Sequence, residues 1–117
     1  MNRLADEALH LCKKGDAGIS KEDAETLLTK IPAWSVITDG ETVKLMRVYT
    51  SRDYEFLLAL MNKFGAMAQQ VNHHPALLLE WGKLTVTWWT HTIEGLHRND
   101  FIMAARCDRA AMLVHGL

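Results

Sequence analysis

The spacing of apolar residues predicts one long amphipathic helix in the middle of the chain. From Ser51 or Arg52 onward, apolar side chains return every three or four residues, which places them on one face of a helix. The pattern predicts a helix that ends near Val71 and buries this face. The residues that recur at helical spacing are Phe56, Leu60, Phe64, Met67 and Val71, with Leu57 and Met61 beside them.

Two further helices are predicted near the ends of the chain. The first begins at Ser20, a suitable N-cap, and runs to about Lys30, with acidic residues near the positive end of the helix dipole. Pro32 stops it. The last helix is predicted over residues 98–114, and its inward-facing side chains are predicted to be Phe101, Ile102, Ala105 and Met112.

A first β-hairpin is predicted between the first two helices. Apolar and polar residues alternate on both sides of Asp39-Gly40, a dipeptide that strongly favours a tight hairpin turn. If these two residues form the loop, the cross-strand pairs are Trp34 with Leu45 and Val36 with Val43.

A second hairpin is predicted over residues 76–91, with Gly82-Lys83 as its two-residue turn. Opposite residues in a ladder have Cβ atoms about 4.5–5.5 Å apart, so His74 and His91 are expected to share one small site, on the face away from the helices. Pro75 donates no ladder hydrogen bond, and a slip of one residue would send His91 to the other face. The predicted pairs are Trp81–Leu84, Leu79–Val86, Leu77–Trp88 and His74–His91.

The resulting order of elements is α-β-β-α-β-β-α. Hairpins separated by helices predict an α+β fold, a four-stranded antiparallel sheet with helices packed on one face. We expect residues 1–19 to form an N-terminal tail that is partly mobile and residues 20–117 to form one domain.

Composition narrows the class of protein. The net charge is −1 and no basic run exceeds two residues, so the sequence does not predict a basic surface that would bind nucleic acid. No segment is long and apolar enough to span a membrane, and the N-terminus does not resemble a signal peptide. The two cysteines cannot form a disulfide framework. These features predict a soluble cytoplasmic protein.

The candidate chemistry lies in the histidines that flank the second hairpin. His73, His74 and His91 would supply side chains that both give and take protons near neutral pH, which suits general acid–base catalysis such as a dehydration. A zinc site with an open coordination position is the alternative. Against it, extended backbone would aim the adjacent His73 and His74 to opposite sides, and no carboxylate stands at HExxH spacing.

A purely structural interpretation of these aromatic and imidazole side chains also stays open. A histidine near the end of a helix often serves only as a cap, and we assign that kind of role to His10, His97 and His115. Trp81 and Trp88 are predicted to lie in the core. Trp34 and Trp89 could instead line a pocket for a ligand with a planar ring.

A composite signature follows the long helix. It consists of His-His-Pro, an aromatic residue, Thr-His, Gly-Leu and an aspartate nine residues after that histidine. It resembles the signature of the pterin-4a-carbinolamine dehydratases, and the resemblance extends over about residues 20–110, including "IPAWSV" with Trp34. "LLEWGKLTVTWWTH" and "GLHRNDFIMAAR" are similar to the bacterial branch of that family. The matching residues are His73, His74, Pro75, Trp81, Thr90, His91, Gly95, Leu96 and Asp100.

The resemblance implies both an activity and a set of site residues. It implies dehydration of 4a-hydroxytetrahydrobiopterin to quinonoid dihydropterin, with the pterin as substrate and no metal or other cofactor. It also implies a link to phenylalanine hydroxylase. The catalytic residues would be His73, His74 and His91, with Asp100 supporting them. The substrate-contacting residues would be Asn72, Pro75, Trp89, Thr90 and Thr92, with Trp34 and Asp100 added to the same set.

Two departures and one alternative accompany the resemblance. Some relatives have an acid at the position of Gln69 and an aspartate at Asn72, so histidine pKa values could differ here. Family members also include protein-binding partners of a transcription factor, so a regulatory module without catalysis is the alternative function.

The sequence also predicts a homo-oligomer, either dimer or tetramer. The outer sheet face carries the apolar residues Ala76, Leu78 and Trp89, and the last helix is rich in alanine and methionine. A monomer would expose these apolar surfaces.

Overall fold

A computed structural model describes residues 3–114 and contains one four-stranded antiparallel sheet within that range. The predicted α+β fold and its order of elements are confirmed. After a short 3-10 helix at Arg3–Asp6, the elements are α1 (Lys21–Leu28), β1 (Ser35–Asp39), β2 (Thr42–Thr50), α2 (Tyr54–Val71), β3 (Ala76–Glu80), β4 (Lys83–Trp88) and α3 (Arg98–Val114). The strands lie in the order β1-β2-β4-β3.

The predicted division of the second hairpin into a core face and an outer face is correct for its strands. Along β4, residues Leu84, Val86 and Trp88 are fully buried while the residues between them are not. On the outer face Leu78 is 57% exposed. The alternation shows that one side of the sheet is covered and that the other faces outward.

Both hairpin turns lie one residue away from their predicted positions. In the first, Asp39 pairs with Thr42, so the turn is Gly40-Glu41 and Val36 faces Leu45 rather than Val43. Trp34 precedes β1 and therefore does not pair with Leu45. Gly40 adopts a φ of +64°, the left-handed conformation that a type II′ turn requires at its first central residue.

In the second hairpin Glu80 pairs with Lys83, so Trp81-Gly82 forms the turn. The predicted pairs Trp81–Leu84, Leu79–Val86 and Leu77–Trp88 are therefore wrong; Leu79 faces Leu84 and Leu77 faces Val86. Trp81 is 77% exposed and stacks on Tyr54 at a ring separation of 6.1 Å, so its predicted place in the core is also wrong.

Helix α3 has the predicted bounds, and most of its predicted inward face is confirmed. Phe101, Ile102 and Ala105 are buried, whereas Met112 is 60% exposed and was wrongly placed inward. Helix α1 begins as predicted, since the Ser20 hydroxyl accepts a hydrogen bond from the backbone N–H of Asp23. Within residues 3–114, none of the helices is long and apolar enough to cross a membrane.

The carboxylate of Asp108 on α3 connects the helical layer to the first hairpin. It accepts hydrogen bonds from Trp34 Nε1 (3.0 Å), Arg47 Nη1 (2.6 Å) and the Tyr49 hydroxyl (2.6 Å). The Arg47 guanidinium also lies 4.1 Å from the centre of the Tyr49 ring. Burial and the nearby Asp108 charge raise the pKa of Tyr49 well above its ordinary value, so this side chain is a neutral donor.

Residues near the N-terminus pack onto α3. Leu4 and Ala5 are buried, and Arg106 donates to the carbonyl oxygens of Ala5 (3.1 Å) and Glu7 (2.6 Å). Arg98 forms a two-pronged ion pair with Glu7 at 2.7 and 2.8 Å, which lowers the pKa of that carboxyl. The partial mobility expected for residues 1–19 stays a prediction.

Candidate active site

The end of α2 turns the chain so that His73 faces the sheet. Asn72 adopts the left-handed conformation, with a φ of 53°, and the backbone N–H of His73 donates to the Ala68 carbonyl oxygen at 3.2 Å. These are the features of a Schellman motif, in which one residue in the left-handed region terminates a helix. Asparagine is among the few residues other than glycine that adopt this conformation readily.

The His73 side chain is held by a carboxylate and an aromatic ring. Its Nε2 lies 2.7 Å from Asp100 Oδ1, and its ring stacks on that of Trp88 with 5.5 Å between centres and 12° between planes. A neutral imidazole that donates from Nε2 leaves Nδ1 unprotonated and able to accept a proton. Asp100 therefore fixes both the orientation of the ring and the nitrogen that carries the hydrogen.

Asp100 is itself fully buried and fully engaged. Its Oδ2 accepts from the Thr90 hydroxyl at 2.8 Å and from the backbone N–H of His97 at 2.9 Å. It lies in the first turn of α3, where the helix dipole favours negative charge. His97 completes the helix start, since its Nδ1 accepts from the Asn99 N–H at 3.0 Å. The cap role assigned to His97 is therefore confirmed.

His74 and His91 lie more openly beside this buried pair. His74 Nε2 is 3.0 Å from Gln69 Oε1, and His91 Nε2 is 3.4 Å from the His74 carbonyl oxygen. The ladder between β3 and β4 ends before these residues, so the predicted His74–His91 cross-strand pair is wrong, although the two residues do meet. His91 belongs to a short 3-10 helix, His91–Ile93, and its ring lies 4.4 Å from that of Trp89.

A cavity of about 510 Å³ opens next to His73. On the side of the sheet and helices it is lined by Val71, Asn72, His73, Thr90, Thr92 and Asn99. Residues 9–12, which we call the N-terminal wall, line it from the other side. This volume lies within the usual range for small-molecule sites, which runs from roughly 300 to 1,000 Å³.

Residues 17–110 match the family of the pterin 4 alpha carbinolamine dehydratases. The protein belongs to this family. Among solved structures, the chain is similar to a transcriptional coactivator/pterin dehydratase from Brucella melitensis, with a TM-score of 0.73 and 21% sequence identity. That match covers 81% of this chain and 99% of the other. At this identity the second likeness concerns the fold.

The structure gathers most of the residues that the dehydratase signature selects. The cavity is lined by Asn72, His73, Thr90 and Thr92. Asp100 contacts the His73 ring. His74, Pro75, Trp89 and His91 lie at the adjoining ends of β3 and β4. Trp34 lies apart, in the cluster around Asp108.

Sequence reasoning missed the N-terminal wall and Asn99. Asn99 is 5% exposed, and its amide pairs with both backbone groups of His10, at 2.9 and 2.6 Å. These residues are 89 positions apart, and no periodic pattern connects them. The cavity also includes His10, to which sequence analysis gave no site role. His115, the third histidine given a structural role, lies outside the described residues.

Two further features of the site concern metal ligands and the Cys12 thiol. Within residues 3–114 no three His, Cys, Asp or Glu side chains come together in an arrangement that could hold a metal ion. Burial, with smaller contributions from the charges of Asp16 and Asp100, raises the pKa of the Cys12 thiol. A protonated thiol is a poor nucleophile, so Cys12 acts as a surface of the cavity.

Proposed function

We propose that this dehydratase-family protein converts 4a-hydroxytetrahydropterins to quinonoid dihydropterins by histidine general acid–base catalysis. The reaction breaks the C4a–O bond, releases the hydroxyl group as water, and removes a proton from the adjacent ring nitrogen. No redox change occurs, so the pterin itself serves as the substrate and no further cofactor is needed. The observation that carries the proposal is the His73–Asp100 pair beside a cavity of suitable size, in a chain of this family.

The reaction needs one group that takes a proton and one that delivers a proton to the leaving oxygen. His73 has a fixed orientation and an acceptor nitrogen, which suits the first role. His74 and His91 are exposed and meet through the His74 carbonyl, next in sequence to the cavity residues His73 and Thr90, which suits exchange with solvent and the leaving hydroxyl. The residues proposed to contact the pterin are Asn72, Pro75, Trp89, Thr90 and Thr92. Trp34 is proposed to stabilise the fold without contacting the pterin.

The test is the decay of enzymatically generated 4a-hydroxytetrahydropterin, followed by absorbance with and without the protein. We expect wild-type protein to accelerate the decay, and His91→Ala to lower kcat/KM by about tenfold to a hundredfold because a proton-transfer group is lost. Lys83→Ala is the control, since Lys83 is an exposed residue beside the turn of the second hairpin and does not line the cavity. A wild-type rate equal to the spontaneous rate would refute the proposed activity.

A regulatory binding module is the second candidate, because the solved structure from Brucella melitensis is described as a transcriptional coactivator as well as a pterin dehydratase. The partner in this chain would be a pterin-dependent hydroxylase, such as phenylalanine hydroxylase, in the cytoplasm. Association with a purified hydroxylase that survives His74→Ala and His91→Ala, with no catalysis by the wild type, would favour this candidate.

We also propose that the protein is a homo-oligomer. The outer sheet face exposes Leu78 (57%) and Val48 (40%), which leaves apolar surface for a second copy. Light scattering coupled to gel filtration is expected to give the mass of a dimer or tetramer. Leu78→Lys is expected to lower that mass, and a monomeric wild type would contradict the proposal.

A further inference from the structure

The N-terminal wall is fixed in place from both ends. Before it, Arg98 and Arg106 bind the segment that ends at Glu7. After it, the backbone N–H of Ile19 donates to the Leu96 carbonyl oxygen at 2.8 Å. A Cβ at Gly18 would lie 2.9 Å from the same oxygen, so only glycine fits this close approach.

The middle of the segment is held by Asn99. Its side-chain oxygen accepts from the His10 N–H and its amide nitrogen donates to the His10 carbonyl oxygen, so one side chain satisfies both backbone groups of one residue. Asn99 is nearly fully buried and precedes Asp100, the partner of His73. The first turn of α3 therefore places the N-terminal wall and the catalytic pair relative to each other.

The two sides of the cavity differ in chemistry. The side that belongs to the sheet and helices presents polar groups from Asn72, His73, Thr90 and Thr92. The N-terminal wall is mixed: Leu9 packs on the core, Cys12 is half-buried with a thiol whose pKa is raised, and His10 and Leu11 are exposed. A pterin has a polar ring edge rich in donors and acceptors and carries its variable substituent away from that edge. The polar side suits the ring, and the mixed wall suits a short substituent that carries both carbon and hydroxyl groups, such as the dihydroxypropyl chain of biopterin.

Given the proposed function, on which this inference rests, we propose that residues 9–12 determine substrate specificity by contacting the substituent on the pterin ring. Asn99 is the positioning residue that holds them. The wall discriminates between pterins that share the ring but differ in their side chain, while His73 and its neighbours engage all of them. The wall is contributed by a segment 60 or more residues before the histidine signature.

The experiment measures dissociation constants by titration calorimetry for two stable product analogues, 7,8-dihydrobiopterin and 7,8-dihydropterin without a side chain. We expect Asn99→Ala to lower the preference for dihydrobiopterin about threefold to tenfold and to leave the affinity for the unsubstituted pterin within about twofold. Cys12→Phe, which narrows the cavity from the wall side, is expected to weaken dihydrobiopterin binding at least about tenfold with a smaller effect on the unsubstituted pterin.

Asp6→Asn is the matched control, because it alters the same segment at its exposed pair with Arg109, away from the wall. This variant is expected to leave the dissociation constants for both pterins unchanged. Equal losses for both pterins, or unchanged ratios in Asn99→Ala and Cys12→Phe, would overturn the inference. A wild type that binds dihydrobiopterin without catalysing dehydration would refute the proposed function while leaving the specificity test valid. If the wild type bound neither pterin, the proposed function and the specificity inference would both be refuted.

Discussion

Replacing His73 with glutamine is expected to lower kcat/KM for dehydration by about 10²–10⁴-fold, the range typical of a positioned acid–base group. Glutamine retains a side-chain donor for Asp100 but cannot take up a proton near neutral pH. The stack of His73 on Trp88 and its 2.7 Å contact with Asp100 hold the ring in one orientation, so the variant removes a positioned proton acceptor.

Asp100→Asn tests whether the carboxylate acts through His73. Asparagine presents an amide N–H₂ where Asp100 accepts three hydrogen bonds, so at least one of these is lost and the His73 ring loses its fixed tautomer. We expect kcat/KM to fall by about 10²-fold, and the double variant with His73→Gln to fall no further than His73→Gln alone.

Asp39→Asn is the companion control for this pair, since it makes the same substitution at an exposed carboxylate that pairs with Lys44, away from the cavity. It is expected to leave kcat/KM unchanged. Additive losses in the double variant would show that Asp100 and His73 act independently, against the role proposed for them. Comparable thermal unfolding of all variants, followed by circular dichroism, is required to separate catalysis from folding.

The largest loss of stability is expected from Asp108→Ala, which should lower the free energy of unfolding by about 2–3 kcal/mol. The change leaves Trp34, Arg47 and Tyr49 without their common acceptor. Since the Asp108 side chain is 25% exposed, water can replace part of this interaction, and the expected loss stays below that of a fully buried ion pair. Urea unfolding measures the difference.

Asp39→Ala removes the same charge from a pair with Lys44 and serves as the reference. The Asp39 side chain is 71% exposed, and exposed ion pairs contribute less than about 1 kcal/mol. Equal losses in the two variants would show that the Asp108 cluster does not hold α3 on the first hairpin.

The same cluster predicts how stability changes at high pH. The folded-state pKa of Tyr49 is raised by burial and by Asp108, so the folded protein keeps a proton that the unfolded chain releases above about pH 10. Its contribution is therefore complete below pH 10 and is lost as the pH rises further, at up to about 1.4 kcal/mol per pH unit. Tyr49→Phe should flatten this decline, whereas the partly exposed Tyr54→Phe should not.

The helices could be predicted from the sequence because their signals are local. Ser20 is an N-cap whose side chain accepts from the backbone three residues later, and Pro32 follows α1 closely. Helix α2 ends at Val71 as predicted but begins at Tyr54 rather than at Ser51 or Arg52, because Asp53 is its N-cap. The bounds of α3 match the predicted ones. Met112 was misplaced because it lies near the end of α3, where the periodicity continues past the elements that could cover it.

The hairpin registers could not be fixed in the same way. Moving a two-residue turn by one position changes every cross-strand pair but leaves each side chain on its original face, so the apolar alternation is equally satisfied by both registers. Gly82 has a φ of +87° and is the second central residue of its turn, whereas sequence reasoning placed it first. Trp81 consequently lies in the turn rather than in the strand.

The residues of the candidate site could be proposed from the sequence, but the way in which they assemble could not be predicted from it. The family signature selects His73 and Asp100, but their contact depends on the left-handed Asn72 and on the first turn of α3, which no spacing rule relates. The N-terminal wall depends on a contact across 89 residues, for which the sequence carries no local signal.

The position of α3 has a consequence for the order of folding. This helix supplies Asp100 to the pair with His73, Asn99 to the N-terminal wall and Asp108 to the first hairpin, in contacts that span 27, 89 and 59 positions of the sequence. Contacts between residues far apart in sequence carry a loop-closure cost that slows folding. We therefore expect the candidate site to assemble late in folding, together with the docking of α3 on the rest of the chain.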